Sequence, residues 1–362
     1  MSEFMPLAAG APPARGIGPR EGIEAGLVWP LRVGDHEGPT PWQARAGQWR
    51  KTGWGLHVPP DTPVTARQRV VEAAALWPDG VVTGWGALAW RGARWFEGTA
   101  PNGSSLPVNI NIGIGKGPRR QGELATATQE SVPPWAIERQ SSIRVALSIW
   151  AVAFAMRYAT SVVEAVKAFD MAAYDDLVTI EELRRCTEAV LGTKTGVPQL
   201  REALELVSEN SWSPQEPLMR CVWCLEGHRP MPLANRPVFD LTGRHVGTPD
   251  VIDIEAGVFG QYEGAKVHLV GAQRSTDIRQ DAVYRDLGLE GVTMVADDCS
   301  DTRSFIGRLH AAYARASRRP FEERRWLLEP PAWWVPTVTV EQRRALEGTQ
   351  RDRLLAYRRP AA

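Results

Sequence analysis

Apolar and polar positions alternate most regularly in the second half of the chain. The stretch "SWSPQEPLMRCVWCLEG" predicts a helix with Ser213 as N-cap and Pro214 at its first position. Three strand-like runs follow, "PVFDL", "RHVGTPDVIDI" and "GVFGQYE", and the turns between them contain glycines that allow tight reversals. A helix over about 272–287, a strand "GVTMVA" and a helix over about 301–317 come next. We therefore predict the order helix, three-stranded meander, helix, strand for residues 210–318.

Helical spacing of apolar positions dominates the first half. It is present in "ARQRVVEAAALWPDG", in "VTGWGALAWRGA" and in the long stretches 141–172 and 180–191, whereas "LPVNINIGIG" alternates as a strand does. Residues 1–37 are rich in Gly, Pro and Ala without periodicity, and we expect a mobile arm there. The pattern predicts a mostly helical domain over 38–209, with a domain boundary near 209–212.

Composition excludes several classes of protein. The chain has 362 residues, and its 42 Lys and Arg balance 42 Asp and Glu, so any contact with nucleic acid must come from local patches. Four cysteines without a regular framework indicate a reducing compartment. The first residues do not resemble a signal peptide, and the most apolar stretch, "VALSIWAVAFAM", is too short to span a bilayer. We expect a soluble cytoplasmic protein without a membrane partner.

Acidic and amide side chains cluster in the predicted meander. Asp250 lies at the end of the second run, and Gln261 and Glu263 alternate along the third, so the last two share one face. Mg²⁺ prefers oxygen ligands, and phosphodiester hydrolysis requires a cation near the phosphate. We predict a site for Mg²⁺ or Mn²⁺ formed by Asp250, Gln261, Glu263 and the carbonyl of Tyr262, with Glu216 approaching from the preceding helix.

These segments resemble a known group of nucleases. The stretches "SPQEPLMR", "NRPVFD…GRHVGTPDVID", "GQYEGAKVH" and "RSTDIRQDAVYRDLGLE" are similar to the Vsr-like branch of the PD-(D/E)XK superfamily. The stretches "WRKTGWGLHVP" and "VTGWGALAWRGA" are similar to the AbiEi-type antitoxin region that actinobacteria attach to such nucleases. The resemblance covers most of residues 40–318. It implies an α+β protein with a partial winged-helix-like start and a restriction-endonuclease-like αβββαβ domain at 210–318.

The resemblance also implies roles for individual residues. Asp250, Glu263 and His268 match the family pattern, in which the histidine orients or deprotonates water or protonates the leaving group. Gln261 departs from it, because the family usually has Glu there. An amide oxygen is neutral and a weaker ligand than a carboxylate, so we expect lower metal affinity and turnover.

Several residues have a second interpretation that the sequence leaves open. Glu216 is also placed to complete a capping box with Ser213, and Asp250 could end a turn after Pro249. Cys221 and Cys224 have the spacing of half a zinc site but suit a helix core better. The remaining alternatives concern basic segments, which contact DNA or form solvated surface: Lys116, Arg119 and Arg120 in "GIGKGPRR", and Arg274 and Arg279 on a predicted helix. The Arg- and Trp-rich extension 319–362 either packs against the protein or stacks on nucleic acid.

Two functions follow from these patterns. The first is a metal-dependent DNA endonuclease that acts on mismatched, damaged or modified DNA in repair or defence and is weakened by Gln261. The second is a catalytically inactive DNA-binding regulator similar to an AbiEi-type antitoxin. Restoring a glutamate at position 261 distinguishes the two, because only the first gains activity.

Overall fold

The computed structural model describes residues 26–100, 102–115, 120–140, 142–264 and 282–358. The fold is α+β, with helices and several sheets in each half. It forms two compact units that divide between Ala155 and Met156. The division comes earlier than the boundary predicted near 209–212, because helices that we assigned to the first domain belong to the second unit. In the part of the chain that the structure describes, no helix is both long and apolar enough to cross a membrane.

The first unit contains a small antiparallel sheet and a larger mixed sheet. A small sheet has the strand order β1-β3-β2, and a larger one has the order β6-β7-β5-β4-β9-β8. The helices are α1 (Pro41–Arg45), α2 (Ala66–Leu76), α3 (Gly84–Trp90) and α4 (Ser148–Arg157), the last of which runs across the division. The strands are β1 (Leu31–Arg32), β2 (Arg50–Gly53), β3 (Leu56–Val58), β4 (Val81–Thr83), β5 (Val108–Asn111), β6 (Arg120–Gln121), β7 (Ala125–Thr128), β8 (Ile137–Gln140) and β9 (Ile143–Ala146).

The six-stranded sheet corrects the prediction of a mostly helical region. Strand β4 pairs with β5 on one side and with β9 on the other, so the short run "VVT" is central to the sheet. The apolar spacing predicts a helix that begins at Val82, whereas α3 begins only at Gly84. Helix α2 forms where predicted, and its N-cap Thr65 accepts a hydrogen bond from the amide of Gln68.

The second unit contains helices, a four-stranded sheet and a smaller sheet. Its helices are α5 (Val162–Tyr174), α6 (Ile180–Cys186), α7 (Val197–Leu204), α8 (Gln215–Cys221), α9 (residues 282–286), α10 (Arg303–Ala316), α11 (Val340–Arg344) and α12 (Gly348–Leu354). Its strands are β10 (Leu233–Ala234), β11 (Val238–Asp240), β12 (His245–Gly247), β13 (Val251–Asp253), β14 (Val258–Glu263), β15 (Glu290–Val295) and β16 (Trp326–Leu327). Single helical turns lie at Thr187–Leu191, Val222–Glu226, Ala296–Cys299, Phe321–Glu323 and Ala356–Arg358.

The four-stranded sheet is the core of the second unit. Its order is β10-β13-β14-β15, with antiparallel neighbours except for the parallel pair β14 and β15. Both faces are covered by apolar side chains, as a central sheet requires. One face packs against α8 and α10 through residues that include Met219, Trp223, Val258, Met294 and Phe305. The other face packs around Phe259, Tyr284 and Trp326.

A glycine allows α8 to lie close to the sheet. A Cβ at Gly260 on β14 would come within 2.7 Å of a methyl carbon of Val251 and 3.0 Å of the Trp223 ring. Both neighbours are fully buried and cannot move aside without loss of packing. Gly260 therefore fixes the short distance between the helix that carries Glu216 and the strand that carries Gln261.

The predicted meander is divided between two sheets. The run "PVFDL" forms β11, which pairs with β12 and with β16 rather than with the core strands. The run "RHVGTPDVIDI" breaks at Thr248–Asp250, because β12 belongs to the small sheet and β13 to the core sheet. The edge strand β10, only two residues long, takes the place that we had assigned to "PVFDL". The helix predicted at 301–317 is present as α10.

The C-terminal extension is part of the second unit. Strand β16 completes the small sheet, and Arg343 of α11 is fully buried and forms an ion pair with Asp176 at 2.6 Å. The extension is thus packed, which is the simpler of the two interpretations of its sequence. It also presents one strongly exposed aromatic side chain, Trp333, next to Trp334.

Candidate functional site

Glu216 lies in the first turn of α8, and its side chain is almost completely buried. Its Oε2 atom accepts hydrogen bonds from the amide of Trp212 at 2.7 Å and from Nδ2 of Asn235 at 2.5 Å. The N-cap of α8 is Pro214, which has no side-chain cap, so the predicted capping box with Ser213 as N-cap is not formed. Glu216 instead joins the loop before the helix to the edge of the core sheet.

Asp250 immediately precedes β13 and lies next to β14. Its Oδ2 atom accepts a hydrogen bond from the amide of Tyr262 at 2.7 Å, and its carbonyl oxygen accepts one from the amide of Asn235 at 2.9 Å. The first bond comes from β14 and the second from the residue that follows β10. The strands on either side of β13 therefore set the position of Asp250. The alternative in which Asp250 only ends a turn does not account for the bond to Tyr262.

The two carboxyl groups influence each other. Burial, and after it the charge of Asp250, raise the pKa of Glu216 to about 8. Burial likewise raises the pKa of Asp250 to about 6, although the Tyr262 amide opposes the shift. Raised values in two adjacent acids indicate a place where negative charge is costly and where a cation or a proton is favoured.

Gln261 lies on β14 next to Tyr262, the residue whose amide bonds Asp250. The pairing of β13 with β14 ends at Val251 opposite Gly260, one residue before Gln261. Glu263, two positions further along β14, lies on the same face as Gln261 and is exposed. Hydrogen bonds of Asn235 join Glu216 to the backbone of Asp250, and Gln261 lies on the neighbouring strand.

Tyr262 points to the opposite face of β14. Its ring packs against the core under α8 and α10, and its hydroxyl lies 3.8 Å from Sγ of the exposed Cys299. Burial raises the pKa of this hydroxyl to about 12, so the hydroxyl stays protonated at neutral pH. The backbone of Tyr262, rather than its side chain, is the part that contacts Asp250.

The donor atoms fit a hard divalent cation incompletely. Among the described residues, no three side chains of His, Cys, Asp or Glu converge as a metal-binding group. Asn235 bonds both the carboxyl group of Glu216 and the carbonyl oxygen of Asp250, and Gln261 on the neighbouring strand carries a neutral amide. Mg²⁺ and Mn²⁺ prefer carboxylate ligands. A site with glutamine at position 261 offers one charged ligand fewer than a site with glutamate there.

Five of the predicted site residues lie outside the described part of the chain. They are the expected acid or base His268 and the expected phosphate contacts Arg274, Arg279, Lys116 and Arg119. Arg120 is the first residue of β6, although its side chain is not described. The roles given to these six residues stay predictions.

Sequence reasoning missed two asparagines that connect the carboxyl groups. Asn235 follows β10 with a positive φ of 45°, donates its amide to the carbonyl of Asp250 and its side chain to Glu216. Asn210 donates Nδ2 to the carbonyl oxygens of Ala234 and Asn235 and receives Nδ2 of Asn235 on its own carbonyl at 2.7 Å. Asn235 is part of the quoted stretch "NRPVFD", and asparagine before a turn is the signal that could have identified it.

A second candidate surface lies in the first unit. Trp54 lies at the tip of the hairpin formed by β2 and β3, beside Gly55 with its positive φ of 68°, and is 73% exposed. Lys51 on β2 is exposed, and Trp42 on α1 is 63% exposed. Exposed aromatic rings and cations are the side chains on which nucleic-acid bases stack and to which phosphates bind.

Comparison with known proteins adds no assignment. No family model matches the chain, and neither the curated proteins nor the solved structures contain a match.

Proposed function

We propose that the second unit is a metal-dependent DNA endonuclease of the Vsr-like, restriction-endonuclease-like type. One observation carries the proposal: the buried Glu216 and the half-buried Asp250 are linked through hydrogen bonds of Asn235, beside the strand that carries Gln261. The order α8, β10, β13, β14, α9, β15 in this unit supports it, because it corresponds to a helix, three strands, a helix and a strand.

The residues of this chain would have distinct roles. Asp250 and position 261 would hold the cation, Glu216 would act through a water molecule, and Glu263 would take part from the exposed side. A bound Mg²⁺ or Mn²⁺ supplies charge stabilisation for the phosphate oxygens and a more acidic water. The Tyr262 amide holds Asp250 in place, and His268 remains the proposed acid or base. The substrate that we propose is duplex DNA with a mismatch, a lesion or a modification.

Gln261→Glu should increase cleavage of DNA at least about tenfold in the presence of Mn²⁺. The new carboxylate gives the cation a third acidic ligand, and hard divalent ions bind carboxylates more strongly than amides. The measurement is nicking of plasmid DNA with time, in Mn²⁺, in Mg²⁺ and in EDTA. Both nicked and linear products should be quantified.

Two control variants make that result specific. Asn102→Asp introduces the same charge at an exposed amide of the first unit, keeps the acceptor oxygen that Ser104 uses, and should leave the cleavage rate unchanged. Asp250→Ala in the Gln261→Glu background should abolish the gain and weaken Mn²⁺ binding measured by calorimetry. Equal rates for the wild-type protein and Gln261→Glu would contradict the endonuclease proposal.

The second candidate function is a DNA-binding regulator without cleavage activity, similar to an AbiEi-type antitoxin. The neutral amide of Gln261 and the exposed hairpin tip of Trp54 favour it. Under this proposal the hairpin of β2 and β3 acts as the wing of a partial winged helix. It predicts DNA binding in EDTA that does not depend on position 261.

Trp54→Ala should weaken DNA binding about fivefold under either function. Stacking of one base or sugar on an aromatic ring contributes about 1–3 kcal/mol, and five-fold corresponds to about 1 kcal/mol. Fluorescence anisotropy with labelled duplex and single-stranded DNA, repeated across a range of salt concentrations, measures the effect. Trp135→Ala, also a partly exposed tryptophan of this unit, is the control and should bind as the wild type does.

A further inference from the structure

The four residues before Ser213 are each held by a different part of the second unit. Glu209 shows this most clearly, because its Oε1 accepts the amide of Ile180 at 2.8 Å and its Oε2 accepts the amide of Val340 at 2.7 Å. Ile180 and Val340 are the first residues of α6 and α11. One carboxylate therefore satisfies amides at two helix N-termini, where negative charge is stabilised.

Arg343 of α11 fastens the same segment from the other side. It donates Nη2 to the carbonyl oxygen of Glu209 at 2.9 Å and to that of Ala173 at 2.7 Å. Its Nε atom donates to Asp176 at 2.6 Å, and the side chain is completely buried. A buried guanidinium with all these partners holds the backbone of Glu209 rigidly against α5.

Asn210 and Ser211 continue the series toward the candidate site. Asn210 exchanges side-chain and backbone hydrogen bonds with Asn235, which itself contacts Glu216. The hydroxyl of Ser211 donates to the buried Asp170 at 2.6 Å. The segment is thus anchored to both β10 and α5 before it reaches α8.

Trp212 is the last residue of the series and contacts the site directly. Its amide donates to Oε2 of Glu216 at 2.7 Å. Its ring stacks on Tyr357 with centroids 4.3 Å apart and planes 33° apart. Tyr357 belongs to the turn Ala356–Arg358 that follows α12. The last described turn of the chain therefore contacts Trp212, the residue whose amide bonds Glu216.

We infer that residues 337–358, here called the C-terminal strap, position the carboxyl group of Glu216 for the proposed reaction. The strap contacts the segment 209–212 at both ends, through Val340 and Arg343 on Glu209 and through Tyr357 on Trp212. Tyr357 and Arg343 are positioning residues, which act on Glu216 through the segment 209–212 rather than by touching it. The consequence for catalysis rests on the proposed nuclease function, whereas the mechanical link does not.

Tyr357→Ala tests the link without reference to activity. We expect hydrogen exchange at the amide of Trp212, which donates to Glu216, to become at least about tenfold faster, because the Trp212 ring loses the surface on which it stacks. Tyr357→Phe keeps the ring and should restore slow exchange. Tyr158→Ala is the matched control, since Tyr158 is an exposed tyrosine of the same unit that also lies beside an arginine.

A second variant covers the other end of the strap. Glu209→Gln keeps one acceptor oxygen but replaces the other by a donor, so one of the amides of Ile180 and Val340 loses its partner. Exchange at the Trp212 amide should again accelerate in the full-length protein. Unchanged exchange in both Tyr357→Ala and Glu209→Gln would overturn the inference.

The catalytic consequence is measured in the Gln261→Glu background. Adding Tyr357→Ala should lower the single-turnover cleavage rate at saturating DNA about tenfold while the DNA affinity stays constant, and Tyr357→Phe should recover the rate. A parallel loss of affinity, or an equal loss in Tyr158→Ala, would contradict positioning. If Gln261→Glu itself does not cleave DNA, the proposed function fails, and the exchange measurement alone decides whether the strap holds Glu216.

Discussion

Arg220→Met should destabilise the protein by about 3–5 kcal/mol, because removal of one partner leaves the other charge buried and unpaired. Arg220 forms an ion pair with the carboxylate of Asp170 at 3.2 Å, and both side chains are almost completely buried. Burial already raises the pKa of Asp170 to about 6, although the charge of Arg220 opposes that shift. The free energy of unfolding from urea titrations at pH 7 and pH 8 measures the effect.

Two further variants separate burial from pairing. Arg184→Met removes an ion pair with Glu205 that has the same 3.2 Å separation but lies at the surface, so it should cost about 1 kcal/mol or less. The double variant Asp170→Asn with Arg220→Met should be more stable than Arg220→Met alone, because no unpaired charge remains. A cost for Arg220→Met no larger than that for Arg184→Met would contradict the assignment of Asp170 as a buried carboxylate.

Glu216→Gln should stabilise the metal-free protein at pH 8 by at least about 2 kcal/mol, since one pKa unit corresponds to about 1.4 kcal/mol. The pKa of Glu216 is raised from 4.5 to about 8, so the folded protein keeps a proton that the unfolded chain has lost between those values. The stability of the wild-type protein should therefore fall as the pH rises from about 4.5 to 8. Below that window both states are protonated and no cost arises.

Thermal melts in EDTA at intervals from pH 5 to pH 9 check this prediction. The melting temperature of the wild type should decline across the window, and that of Glu216→Gln should decline less. A smaller decline should persist in the variant, because the pKa of Asp250 is raised in the same direction. Glu202→Gln, at an exposed position on α7, is the control and should follow the wild type. A wild-type melting temperature that is constant from pH 5 to pH 8 would contradict the raised pKa of Glu216.

Part of the site could be predicted because it depends on strand periodicity. The alternation along "GQYEG" predicts that Gln261 and Glu263 share one face, and both residues lie in the regular strand β14, which pairs with β15 over its whole length. The hydrogen bonds of Glu216 could not be predicted, since a capping box is a local pattern and Asn235 lies 19 residues away.

The errors in the fold have a common physical cause. Strands β4 and β10 have three and two residues, too few for alternation to be distinguished from helical spacing. Strand β11 was recognised, but its partner β16 comes from the C-terminal extension. Pairing between distant segments is decided by the packed structure, and no local property of "PVFDL" identifies that partner.

The position of the strap along the chain affects biosynthesis. Val340 follows Glu209 by 131 residues, so a ribosome that adds about 5–20 residues per second makes the first residue long before the second. This interval lasts on the order of ten seconds, and in its later part the nascent chain already contains Glu216 and Asp250 while the segment 209–212 lacks its contacts with the strap. A chain released before Val340 would carry every acidic residue of the site and lack the contacts that align Glu216. Translation would therefore complete the acidic cluster first and its alignment last.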